Sequence, residues 1–153
     1  MMKTLILFFV LATVISCTSQ PGTKISTAPV NVDSLTAEFV ASWNNKDSAA
    51  IVKAIAQDAV LLNDSLVYKG HFQIADNWIS GGVKVVSNLK TSCLSKESDN
   101  RIAYSAGTYT HDLSFPGGPV YKINGNYNFA WTKQPDDKWK ISFIHIEDLT
   151  SKR

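Results

Sequence analysis

Cysteine and histidine are scarce in this 153-residue chain, with two of the first and three of the second. His71, His111 and His145 lie far apart. They form no His-x-His or His-x-x-x-His pair, so the chain carries no metal signature and no cofactor is expected. Charge of one sign is missing as well. Fifteen Lys and Arg stand against thirteen Asp and Glu, for a net charge of +2. With no basic cluster among them, a nucleic-acid partner is excluded. No Gly-rich phosphate loop, Ser-His-Asp order or nucleophile elbow is present. The longest apolar run, residues 5–15 broken at Thr13, is too short to span a bilayer as a mature helix.

That run is nevertheless informative. Lys3 precedes it and Val14-Ile15-Ser16-Cys17 ends it, the order of basic start, apolar core and small residue found in secretory signals. Val-Ile-Ser-Cys resembles the lipobox of bacterial lipoproteins. The resemblance implies a signal peptide over residues 1–16, lipidation of Cys17 and attachment to a cell-envelope membrane. Thr18, standing where an inner-membrane retention aspartate would be, implies an outer membrane facing the periplasm. With Cys17 lipidated, Cys93 has no disulfide partner, and it reads as a small buried apolar residue. A reactive thiol there would need positive charge, and Lys90 and Lys96 are the nearest in sequence.

Residues 17–30 are rich in Ser, Thr, Pro and Gly and read as a flexible tether. Residues 31–153 read as one domain. Leu35, Phe39, Val40 and Trp43 fall at helical spacing. Asn44-Asn45-Lys46 ends that helix, and Asp47 caps a second carrying Ile51, Val52 and Ile55. A short strand over 58–63 follows. A third helix then carries Phe72, Ile74, Ala75 and Trp78, to end at Gly81-Gly82. Four long β-rich runs come next, over 83–94, 101–115, 119–133 and 138–149. Apolar residues on both faces of the last run predict a central strand. Helices followed by an antiparallel meander make an α+β order.

Asp58-Ala59-Val60-Leu61, Gly70 opening a helix, the stretch Gly125-Asn126-Tyr127-Asn128-Phe129-Ala130-Trp131 and Lys138-Trp139-Lys140-Ile141 together resemble the nuclear transport factor 2-like superfamily. The SnoaL-like and ketosteroid-isomerase-like branch is the most similar. The resemblance covers residues 33–148. It implies a cone-shaped, curved antiparallel sheet wrapped around three N-terminal helices, the cystatin-like arrangement. A conical pocket and pairing into homodimers through the outer sheet face are also implied.

Aligned by Asp47, Asp58 and Gly70, the isomerase base falls on Asn63, the helix-one tyrosine on Phe39 and the late-strand acid on Tyr127. An amide cannot act as the base and Phe39 cannot donate, so isomerisation of the steroid type is disfavoured. Residues 102–104 and 139–145 also resemble the association domain of calmodulin-dependent kinase. The pocket arginines of that domain fall here on Ala106, Phe129 and Ile146. Both resemblances turn Tyr127, Phe129, Ser142, Ile144 and Ile146 inward, and the same parity adds Tyr104, Thr108 and Thr110. Tyr68, Trp43 and Trp78 complete the expected lining.

His145 and Glu147, with Trp139, are expected on the outer face. His71 is the histidine expected at the pocket mouth. His111 and Asp112, as strand neighbours, point to opposite faces. The reading is a membrane-anchored domain binding a small, largely apolar molecule without assured catalysis. Its alternatives are an acid–base isomerase, dehydratase or cyclase using Asp64 or His71 with Tyr104 or Tyr127, and a homo-oligomeric assembly module.

Overall fold

The structure, a computed structural model, describes residues 29–149. The expected signal peptide, Cys17 and nearly all of the expected tether lie outside the described residues. Helix α1 spans Val32–Asn44. The Asn31 side chain opens it, accepting from the Asp33 and Ser34 amides at 3.0 and 3.2 Å. Val32, Thr36, Phe39 and Trp43 form its buried stripe. Lys46, in the left-handed region at φ 59°, turns the chain into α2 (Ser48–Ala54), which Asp47 caps through the Ala50 amide at 2.9 Å.

Strand β1 (Ile55–Asn63) leaves α2 directly, three residues earlier than periodicity places it. Asp64 and Ser65 then turn the chain into β2 (Leu66–Lys69), a four-residue edge strand too short to show a period. Gly70, at φ 82°, leads into α3, which covers residues 71–85 with a π-helical turn over Ala75–Ile79. The two glycines therefore do not end this helix. Gly82 lies inside it because a Cβ there would stand 3.2 Å from the Trp43 ring. Phe72, expected among the packed residues of α3, is 77% exposed.

The remaining strands are β3 (Val86–Ser98), β4 (Ile102–Ser114), β5 (Val120–Lys133) and β6 (Trp139–Asp148). All six form one curved, unclosed sheet in the order β2-β1-β6-β5-β4-β3. The sheet is mixed rather than wholly antiparallel, because β1 runs parallel to β6. Strand β6 is central, as its two apolar faces predict. The helices cover one face, where Ile51, Ile55, Leu61, Ile74, Ile79, Ile141 and Ile144 are fully buried.

Two parity expectations are corrected by register. Directly opposed residues of antiparallel strands share a face. Tyr127 is opposite Gly107 and Phe129 opposite Ser105, so the odd-numbered residues of β4 face inward. Tyr104, Thr108 and Thr110 therefore point outward, and so does Ala106. On β6 a bulge separates the Ala130–Phe143 and Trp131–Ile141 pairs. It turns Ile141 and Trp139 to the helix side, leaves Ser142 bonded to the Ala130 carbonyl at 3.3 Å, and keeps His145 outside. Cys93 is also corrected. It is exposed, at the register shift where β3 passes Gly107.

Candidate ligand pocket

Between α1, α3 and the inner sheet face lies a cavity of about 190 Å³. An aromatic ladder forms much of its wall. Trp78 meets Trp43 at 4.9 Å, Trp43 meets Phe39 at 6.3 Å, Phe39 meets Phe129 at 5.4 Å and Phe129 meets Tyr127 at 4.7 Å. The rings meet mostly edge to face, the favoured geometry for aromatic pairs. Val85, Val86, Leu89, Leu113, which pairs with Val86 across β3 and β4, and Ile146 add aliphatic lining. Helix α1 is held over this end because the Asn44 amide grips the Leu89 backbone twice, donating to its carbonyl at 2.9 Å and accepting from its N–H at 2.8 Å. A larger depression of about 440 Å³ shares His111 with it and is bounded mostly by polar residues, among them Asn88, Lys90, Asp112 and Lys122.

Of the residues expected to line a pocket, Phe39, Trp43, Asn63, Trp78, Tyr127, Phe129 and Ile146 meet at this cavity. Ile144 is buried in the core beneath it, and half-buried Tyr68 packs against the core on β2. Neither lines the cavity. Tyr104, Thr108 and Ser142 are also away from it, for the register reasons given above. Asp64 is absent from the lining; its carboxylate accepts from the Asp148 N–H at 2.9 Å. His71 bonds through Nε2 to the Val52 carbonyl at 3.1 Å and is likewise away from the cavity. Tyr127 presents its ring, while its hydroxyl meets Ser105 Oγ at 2.9 Å. Ser105 donates onward to the Cys93 sulfur, so Tyr127 must be the donor to Ser105. Burial pushes its hydroxyl above the ordinary tyrosine range.

Four polar residues at the mouth were not assembled from the sequence: Thr91, Tyr109, His111 and Asp148. Tyr109 is opposite Gly125 on β5, and Gly125 is opposite Asp148 on β6. With no side chain between them, the Tyr109 hydroxyl crosses the glycine and donates to Asp148 Oδ1. Burial, that bond and the charges of Asp148, Asp64 and Glu147 hold the Tyr109 hydroxyl far above its ordinary range, so it stays a neutral donor. His111 stacks on Tyr109 at 5.8 Å and 6° between planes. Its Nδ1 is buried without a hydrogen-bond partner. No three His, Cys, Asp or Glu among the described residues cluster in a way that could hold a metal ion. Nor is any described helix long and apolar enough to cross a membrane.

No family model matches the chain, and no curated protein matches it. Solved structures do. A ketosteroid isomerase-like protein from Erwinia carotovora atroseptica aligns with a TM-score of 0.68 at 13% identity, covering 78% of this chain and 95% of that one. A nuclear transport factor 2-like superfamily protein from Salmonella enterica aligns at 0.65 and 15%, over 78% and 89%. A nuclear transport factor 2-like protein with a cystatin-like fold from Novosphingobium aromaticivorans aligns at 0.62 and 13%, over 77% and 79%. The chain thus has the nuclear transport factor 2-like, cystatin-like α+β fold. At these identities the likeness concerns fold alone.

Proposed function

We propose that this nuclear transport factor 2-like fold serves here to bind a small, largely apolar molecule in the cavity between α1, α3 and the sheet. The observation that carries the reading is the lining. Eleven apolar or aromatic side chains, Tyr109 and Tyr127 included, line a space of about 190 Å³, and the other side chains of the lining are polar. An apolar protein cavity of about 150 Å³ takes up benzene, so this one suits a body of a single ring or a short chain. It is below the roughly 300 Å³ at which pockets for drug-sized ligands begin. Titration with 2-phenylethanol, followed through the fluorescence of Trp43 and Trp78, tests the reading. Saturable binding that is lost in Leu113→Trp, which fills the mouth, supports it. No saturable change in the wild type contradicts it.

A second reading, an acid–base enzyme, is favoured by one observation: Asp148, Tyr109 and His111 share the mouth of the cavity. It replaces the expected pair Asp64 and His71, whose side chains are engaged elsewhere. Turnover of a bound compound that stops in Asp148→Asn without loss of binding would select it.

Anchorage through a lipidated Cys17 to an outer membrane, in the periplasm, belongs to the same proposal. The chain enters the domain beside Ser98, whose hydroxyl bonds the Val30 carbonyl at 3.0 Å. The pocket lies toward the far end of β3 and β4, and a 13-residue strand such as β4 extends about 43 Å. The anchor would hold the domain by the end away from the pocket, leaving the mouth to face the aqueous side. Incorporation of labelled palmitate that is abolished in Cys17→Ser tests the anchor. Light scattering tests the homodimer implied by the family resemblance.

A further inference from the structure

We infer that the molecule held in this pocket carries a hydrogen-bond-donating head, a hydroxyl or an ammonium, and that the mouth discriminates against a carboxylate. The inference rests on the cavity being a binding site and adds the chemistry of what is bound. It starts from the segregation of polar atoms. The walls are largely aromatic and aliphatic, so apart from the indole N–H groups of Trp43 and Trp78 a ligand's polar group finds its partners chiefly at Asn63, Thr91, Tyr109, His111 and Asp148.

The donors and acceptors there are unequal in number. The one Tyr109 proton is committed to Asp148 Oδ1. Asp148 keeps its second oxygen and further lone pairs, since a carboxylate offers about four acceptor sites. The Thr91 hydroxyl can turn either way, and the Asn63 amide supplies both kinds of atom.

Charge points the same way. No lysine or arginine lines the cavity, and Asp148 carries the one carboxylate of the lining, with Asp64 and Glu147 close enough to act on Tyr109. One nearby cation, Lys90 at the edge of the neighbouring depression, forms no ion pair among the described residues, while two others are engaged. Lys122 pairs with Asp112 at 2.6 Å, and Lys46 bonds the Val86 carbonyl. A carboxylate head would meet the charge of Asp148 with no cation in the lining itself, whereas a hydroxyl or ammonium would complete the acceptors already in place.

The test is a head-group series on a constant body: propylbenzene, 2-phenylethanol, 2-phenylethylamine and 3-phenylpropanoate, repeated with hexyl chains, by calorimetry and tryptophan fluorescence. The alcohol or the amine should bind at least about fivefold tighter than the carboxylate, a difference of roughly 1 kcal/mol. Gain by the amine alone identifies a cationic head; gain by the alcohol identifies a neutral donor. Asp148→Asn should bring the amine and the carboxylate to within about twofold of each other. Tyr109→Phe, which frees Oδ1, should strengthen the amine and gives a second variant if the first does not fold. A carboxylate that binds as well as the alcohol and the amine, or a preference unchanged in both variants, overturns the inference and leaves the binding site standing. Failure of every member of both series to bind overturns the binding reading itself, and this inference with it.

Discussion

Replacing Gly125 with alanine tests whether the mouth is built by Tyr109 crossing β5. A Cβ at this position would stand 2.6 Å from both Cζ and Oη of Tyr109 and would press on the Glu147 carbonyl. The ring can swing away, but the carbonyl belongs to the β5–β6 ladder and moves only with the strand. Overpacking of this kind costs about 1–3 kcal/mol. Swinging the ring out also breaks the bond to Asp148, and a bond to a charged group contributes about 1.5–3 kcal/mol. The two overlap, since moving the ring relieves part of the clash, so the expected loss is about 2–4 kcal/mol. For a domain of this size that lowers Tm by very roughly 6–15 °C. Urea unfolding followed by tryptophan fluorescence measures it. Gly81→Ala is the control: nothing lies within 4 Å of its Cβ, and it should be neutral or gain up to about 1 kcal/mol. In a Tyr109→Phe background the alanine should cost less, because the bond is already gone. A Gly125→Ala protein within about 0.5 kcal/mol of wild type would refute the crossing geometry, since substitutions away from any structural feature fall in that range.

Asn44→Ala removes both bonds to the Leu89 backbone and should cost about 1–2 kcal/mol in urea unfolding, with faster amide exchange at Leu89. The Tyr109 hydroxyl is held far above its ordinary range in the folded state. The stability this contributes is complete below the unfolded tyrosine pKa of about 10 and is lost as pH rises above it. Ultraviolet titration should therefore show Tyr109 ionising only as the protein unfolds, and Tyr109→Phe should flatten the alkaline loss of stability. Asp112 behaves oppositely: bonds from Lys122 and Asn88 hold its carboxyl below the usual range. Its contribution is present above the unfolded value of about 3.9 and is lost as pH falls through the folded one. Urea midpoints should show a shallower acid slope in Asp112→Asn.

The sequence was legible wherever one element's own period decides the outcome. Trp43 and Phe39 follow from helical spacing, and Tyr127 and Phe129 from the unbroken alternation of β5. The cap at Asp47 and the central place of β6 were readable from local chemistry in the same way. It was illegible where neighbouring strands decide. Strand β4 alternates small and polar residues with no apolar face, so its inward side is set only by its register on β5, and Tyr104 and Thr108 were assigned the wrong side. Trp139 and Ser142 lie on the faces opposite to those expected because of a bulge that leaves no mark in periodicity. Tyr109 and Asp148 are far apart in sequence and come together only across a third strand. Gly125 was the available signal, since a glycine inside a strong strand marks a close approach by another group.

The most direct measurement is native mass spectrometry of the protein purified from its own cells, compared with the Leu113→Trp form. The account predicts a bound small molecule with an apolar body on the wild type, absent from the filled variant. A wild type that carries nothing, or a molecule retained equally by both forms, would contradict it.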